Sequence, residues 1–132
     1  MKKVYSIVLT QGKEKIVVYV PDFNINTQGD DMADAMEMAR DAIGLMGIDM
    51  EDEGEMLPEG SSFIAVKDEY PDDIVTLVDV DFAEYRRKND LRAVKKNCTI
   101  PSWLNFEAEK AGVNFSAVLQ AALKRELNIQ GR

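Results

Sequence analysis

The sequence predicts an α+β protein built from two modules of opposite charge. Three observations carry this. Residues 3–27 alternate as strands do, then give way to one long amphipathic pattern and later to another strand. Residues 94–127 repeat the change of period on a smaller scale, one strand followed by two short helices. Charge changes sign along the chain: residues 1–82 hold six basic and nineteen acidic groups, net −13, while residues 83–132 hold ten and five, net +5. Such asymmetry points to two different partners. The polar segment 83–93 (AEYRRKNDLRA) is the expected linker, with a short connecting helix as its alternative, so the modules are 1–82 and 94–132.

In the first module, Lys3–Thr10 reads as a strand with Tyr5, Ile7 and Leu9 on one face and Val4, Ser6 and Val8 on the other. A turn at Gln11–Glu14 leads to a second strand, Lys15–Val20, rich in β-branched residues. Pro21 ends its pairing because it has no N–H to donate. Phe23–Thr27 is a third short strand. Asp30 and Asp31 then open a helix, where a carboxylate can cap the first turn and favour the dipole. Met32, Met36, Ala39, Ile43, Met46 and Met50 recur at steps of three and four, one helical stripe expected to pack on the sheet. Glu51–Ser62 is a polar loop, Ile64–Val66 a short extended piece, and Ile74–Phe82 a strong strand. The order is β-β-β-α-(β)-β, with one helix over one sheet face.

In the second module, Val94–Ile100 alternates, with Cys98 and Ile100 pointing one way and Lys95, Asn97 and Thr99 the other. Pro101 suits the start of a helix over Ser102–Ala111, and Gly112 stops it. Asn114 can cap a second helix, Phe115–Leu127. So small a unit buries too little surface to stand alone, and its one strand is an unpaired edge. A two-fold dimer solves both problems: two strands pair antiparallel and four helices share a core. Lys95, Asn97 and Thr99 of both chains then lie on one exposed ribbon, which fits the DNA major groove. Asn114, Phe115 and Ser116, at a helix N-terminus, offer backbone N–H groups to a phosphate. A purely structural hairpin and a helix-turn-helix are the competing readings. The latter lacks a third helix.

Composition narrows the chemistry. There is no histidine and one cysteine, Cys98, which removes disulfide frameworks, the usual zinc sets and the common Ser-His and Cys-His pairs. Asp49, Glu51, Glu53 and Gly54 imitate half a calcium loop, but the twelfth position is Gly60 where a bidentate Glu is required. Asp79 and Asp81 share a strand face and could hold Mg²⁺ with Asp22 and Asp41, as in a two-metal nuclease. The plainer reading makes them the solvent side of a sheet. No phosphate loop or nucleophile elbow is present. We therefore expect no enzyme, no catalytic residue, no cofactor and no metal. No apolar run is long enough to span a bilayer, and the start lacks signal-peptide features, so a cytoplasmic protein without membrane contact is expected.

Two stretches carry a family resemblance. VKKNCTIPSWL, followed by AGVNFSAVLQ, resembles a ribbon-helix-helix repressor domain. Upstream, YVPDFNINTQGDDMADAMEMARDAI resembles the core of the HicB antitoxins, which have a partial RNase H-like fold. The likeness covers nearly the whole chain in the right order; Cys98 departs from it mildly, standing where an aliphatic residue is common. It implies an antitoxin that neutralises a HicA-type, mRNA-cleaving toxin and represses its own operon by binding operator DNA. By motif position it gives Lys95, Asn97 and Thr99 the DNA-facing role and Asn114–Ser116 the phosphate-anchoring role. The toxin contacts are expected at the acidic edge near Asp22, Asn24, Asp30 and Asp31, since a negative module suits a basic partner. A homodimer is expected, or a tetramer if the N-terminal sheets also associate. The rivals are a stand-alone repressor with a ligand-binding first module, and a metal-dependent RNase H-like nuclease.

Overall fold

The protein was analysed as a computed structural model that describes residues 1–130; the end of the second module, residues 131–132, lies outside them. The chain divides into two compact units, Met1–Arg92 and Ala93–Arg132.

The first unit runs β1 (Lys2–Gln11), β2 (Ile16–Val20), β3 (Ile25–Gly29), α1 (Met32–Asp52), α2 (Phe63–Glu69), β4 (Ile74–Asp81) and α3 (Phe82–Lys88). The strands form one antiparallel sheet in the order β3-β2-β1-β4. Apolar alternation along β1 sends Tyr5, Ile7 and Leu9 to the inner face, where Val18 and Val20 of β2 and Val78 and Val80 of β4 join them. α1 covers that face. Asp31 caps it by accepting a hydrogen bond from the Asp34 N–H at 2.8 Å.

The expected methionine stripe is correct only in part. Ala39 and Ile43 are buried and Met36 packs against the core, but Met32 and Met46 are exposed. The contact line instead runs through Ala35, Ala39, Ile43, Gly44 and Gly47. A Cβ on Gly44 would overlap the Tyr85 ring, and one on Gly47 the Phe82 ring. Small residues let the helix approach more closely than methionine allows, and hydrophobic periodicity does not register glycine.

One local expectation is corrected. Ile64–Val66 is helical, inside α2, because Ser62 caps the turn and Val66 and Tyr70, four apart, both face the sheet. The segment 83–93 follows its alternative reading, a short helix, for most of its length. Phe82 starts α3, with Asp81 as its cap, and Tyr85 is buried against α1. With the boundary at Arg92 the units carry −11 and +3. The sign change survives, and the basic groups of α3 belong to the acidic unit.

The second unit holds α4 (Ser102–Lys110) and α5 (Phe115–Glu126). Gly112 takes a φ of +70° at the end of the first, a conformation that costs glycine little. Asn114 caps α5, accepting from the Ala117 N–H at 3.1 Å. Residues 90–101 carry no regular secondary structure, so the strand expected over 94–100 is unpaired. A strand needs a hydrogen-bonded neighbour, and this unit offers none within one chain. No described residue of this unit is buried. No helix among the described residues is long and apolar enough to cross a membrane.

Candidate partner and nucleic-acid interfaces

In the second unit a hollow of about 610 Å³ lies between the 96–100 segment and the two helices. Lys96, Cys98 and Ile100 line it from the segment, and Leu104, Ala108, Phe115, Leu119 and Ala122 from the helices. Lys95, Asn97 and Thr99 do not line it, and all three are exposed. The segment thus alternates as a strand does, even-numbered residues toward the helices and odd-numbered ones away. Cys98 sits where an apolar residue would suit, as a small hydrophobe. Lys96 borders the apolar hollow, a placement that residue type alone would not suggest. At the start of α5, Asn114 spends its side chain on the cap, the Phe115 ring lines the hollow, and Ser116 borders it. The groups there that could meet an anion are backbone N–H groups and the Ser116 hydroxyl.

The apolar surface of this unit is large. Trp103, Phe106, Val118 and Leu127 are each more than half exposed, and Phe115, Leu119 and Leu123 are also open. A free-standing soluble unit rarely shows so much apolar area in one place.

In the first unit, the four acidic-edge candidates all have local partners. Asp22 accepts from the Ser61 N–H at 3.1 Å and also bonds its hydroxyl. Asn24 has a φ of +50° and accepts from the Tyr19 hydroxyl at 2.9 Å. Asp30 pairs with Lys15, and its N–H donates to Asp34. Asp31 is the α1 cap. Asp22 thereby helps pin the loop before α2 along β1. There Tyr5 donates to the Pro58 carbonyl at 2.8 Å and Lys3 pairs with Glu59. Burial, with Glu59 and Asp22 nearby, pushes the Tyr5 phenol up to about 12.

The carboxylates considered for a metal are likewise engaged by the chain's own groups. Asp79 pairs with Lys2 and Arg40, and Arg40 also donates to the Asp79 carbonyl at 3.3 Å. Asp81 caps α3, and its bond from the Glu84 N–H holds its carboxyl below the usual range. Asp41 accepts from the Tyr85 hydroxyl at 2.7 Å; burial first, then this bond, raises that phenol well above its ordinary value. Among the described residues no three Cys, Asp or Glu side chains are grouped to hold a metal ion.

The model of the HicB-like antitoxins of bacterial toxin–antitoxin systems matches residues 5–121. No curated protein matches. Among solved structures, a toxin–antitoxin complex from Streptococcus pneumoniae contains a similar chain. It is 24% identical with a TM-score of 0.59, covering 96% of this chain and 99% of that one. The antitoxin HicB of Burkholderia pseudomallei is 22% identical with a TM-score of 0.54, covering 96% and 97%. At those identities the two structures support the fold, and the family match supplies the rest: the chain belongs to the HicB-like antitoxins of bacterial toxin–antitoxin systems.

Proposed function

We propose that the protein neutralises a HicA-type, mRNA-cleaving toxin through its first unit and represses its own operon through its second. The first unit is read as a partial RNase H-like module that acts by occlusion, without catalysis. Its net charge of −11 suits a basic, RNA-binding toxin and speeds the encounter. The second unit is read as half of a ribbon-helix-helix dimer. Two chains pair their 94–100 segments as an antiparallel ribbon and close the open hollow between them. Lys95, Asn97 and Thr99 then face the major groove, and the α5 N-terminus, Asn114–Ser116, meets a phosphate.

One observation carries this reading: residues 94–100 alternate between an apolar hollow and an exposed Lys-Asn-Thr face, in a unit that buries none of its described residues alone. The test is operator binding by the full chain. Asn97→Ala and Thr99→Ala should each cost about 1–3 kcal/mol and relax sequence preference, as lost base contacts do. Lys95→Ala should weaken binding on every sequence and flatten its salt dependence. Unchanged binding in all three variants rejects the ribbon. For the toxin arm, co-expression with a HicA-type toxin from the same operon should restore growth to cells that the toxin alone arrests, and failure to do so rejects that half.

A further inference from the structure

The basic groups on either side of the unit boundary differ in how free they are to meet a phosphate. Just before the ribbon segment the chain's own carboxylates hold them. Arg86 pairs with Asp52 at 2.9 Å and with Glu51 at 3.6 Å. Lys88 lies 3.6 Å from Glu84. Arg92 grips both oxygens of Asp90, the closer contact being 2.7 Å. Lys95, on the exposed face, and Lys96 form no ion pair among the described residues. The second unit thus offers DNA a net charge of only +3. The first unit carries the larger and opposite excess, −11. Glu14, Glu53, Glu55, Asp68, Glu69 and Asp72 are exposed and form no ion pair among the described residues.

Covalent connection makes these charges act together. The residues 89–93 that join α3 to the 94–100 segment reach at most about 20 Å. A ribbon in the major groove therefore brings a strongly negative unit toward the same phosphates. Repulsion of this kind ignores base sequence, because every duplex carries the same backbone charge. It opposes the attraction of a few cations, and that attraction supplies essentially all of non-specific binding. Base contacts act at hydrogen-bond range and are not screened in the same way. We propose a further function for the first unit: its charge weakens the chain's binding to all DNA, so that a duplex without the matching base contacts does not retain it. This role rests on the operator-binding reading above and adds what keeps the chain off other sequences. It gives the acidic groups a task in DNA selection that is separate from any partner they meet.

The experiment measures binding of the full chain to two duplexes of equal length, the DNA upstream of its own operon and a scrambled copy. Glu14→Gln, Glu53→Gln, Glu55→Gln, Asp68→Asn, Glu69→Gln and Asp72→Asn together take the first unit from −11 to −5 without breaking a described ion pair. At about 20 mM salt this variant should bind both duplexes at least about fivefold more tightly, and at about 0.3 M the gain should fall below about twofold. Should the sixfold variant fold poorly, Asp68→Lys, Glu69→Lys and Asp72→Lys reach the same net charge at half as many positions, and they must give a gain with the same salt dependence. Wild-type affinity for both duplexes at low salt in a folded charge variant, with the wild-type chain preferring the operator, overturns this role alone. A gain on the operator only, or one that does not fade with salt, also overturns it, since a uniform field produces neither. A wild-type chain with no preference for the operator removes the DNA-binding reading itself.

Discussion

The two units solve the burial problem in opposite ways. The first encloses Tyr5, Ile7, Leu9, Val18, Val20, Ile43, Val78 and Val80 between a sheet and a helix of its own. The second exposes comparable residues, Trp103, Phe106, Phe115, Val118 and Leu123, on two short helices, and none of its described residues is buried. Both follow the same helical and strand periodicities, so pattern alone does not separate them. Length does. Some ninety residues supply a sheet with a helix for its inner face, whereas some forty supply only half of a core. On the ribbon reading proposed above, the stability of the second unit is tied to association, and that of the first is not.

The largest expected effect tests this difference directly. Leu119→Asp puts a charge into the apolar hollow, which would be buried once two copies close on it. We expect the dimer to dissociate, a loss of about 4 kcal/mol or more, and operator binding to disappear. The first unit should melt as before. Light scattering for mass and calorimetry for the two transitions check this. In the wild type, dilution should lower the second transition only. A Leu119→Asp chain that stays dimeric breaks the comparison.

The mirror experiment loads the first unit. Gly47→Val drives a branched side chain into the Phe82 ring, and overpacking of this kind costs about 1–3 kcal/mol. Its cost should fall on the first transition and spare operator affinity. Gly47 also shows where the sequence was opaque. The sheet strands, the α1 cap, both C-terminal helices and their Gly112 stop are legible because each rests on local chemistry. The α1 contact line is not, since a glycine becomes a packing residue only when a ring from a distant element lies on it. That α3 packs into the first unit is hidden for a related reason. Tyr85 sits among Glu84, Arg86, Arg87 and Lys88, so its neighbours look solvated while its ring is buried under α1. On the candidate sites, alternation placed Lys95, Asn97 and Thr99 away from the hollow, as strand geometry requires. The edge near Asp22, Asn24, Asp30 and Asp31 is an expectation from the module's acidity, which does not show that caps and loop anchors engage these side chains.

Alkali should separate the units more gently. The first unit contains all four tyrosines and the second none. Tyr5 and Tyr85 both have folded pKa values above the ordinary 10, Tyr5 at about 12. A phenol that holds its proton more tightly when folded adds stability below its unfolded pKa and loses it as pH rises through the folded value. The first transition should therefore fall between about pH 10 and 12. Tyr85→Phe should lower the first unit's stability near neutrality by about 1 kcal/mol for the lost Asp41 bond, and make the alkaline fall shallower. Equal alkaline slopes for the two units would contradict this assignment.

The smallest effect concerns Ser6, on the outer face of β1. Its side chain is fully buried, and its Oγ is a buried side-chain polar atom without a hydrogen-bond partner among the described residues. A hydroxyl desolvated without compensation opposes folding, so Ser6→Ala should be neutral or stabilising by up to about 1 kcal/mol. Ser6 stands opposite Leu77, beside Val4 and Val8, so an apolar side chain would suit the position better. Ser6→Ala should raise the first thermal midpoint slightly and leave the second unmoved. A clear loss of stability would mean the hydroxyl has a partner in solution.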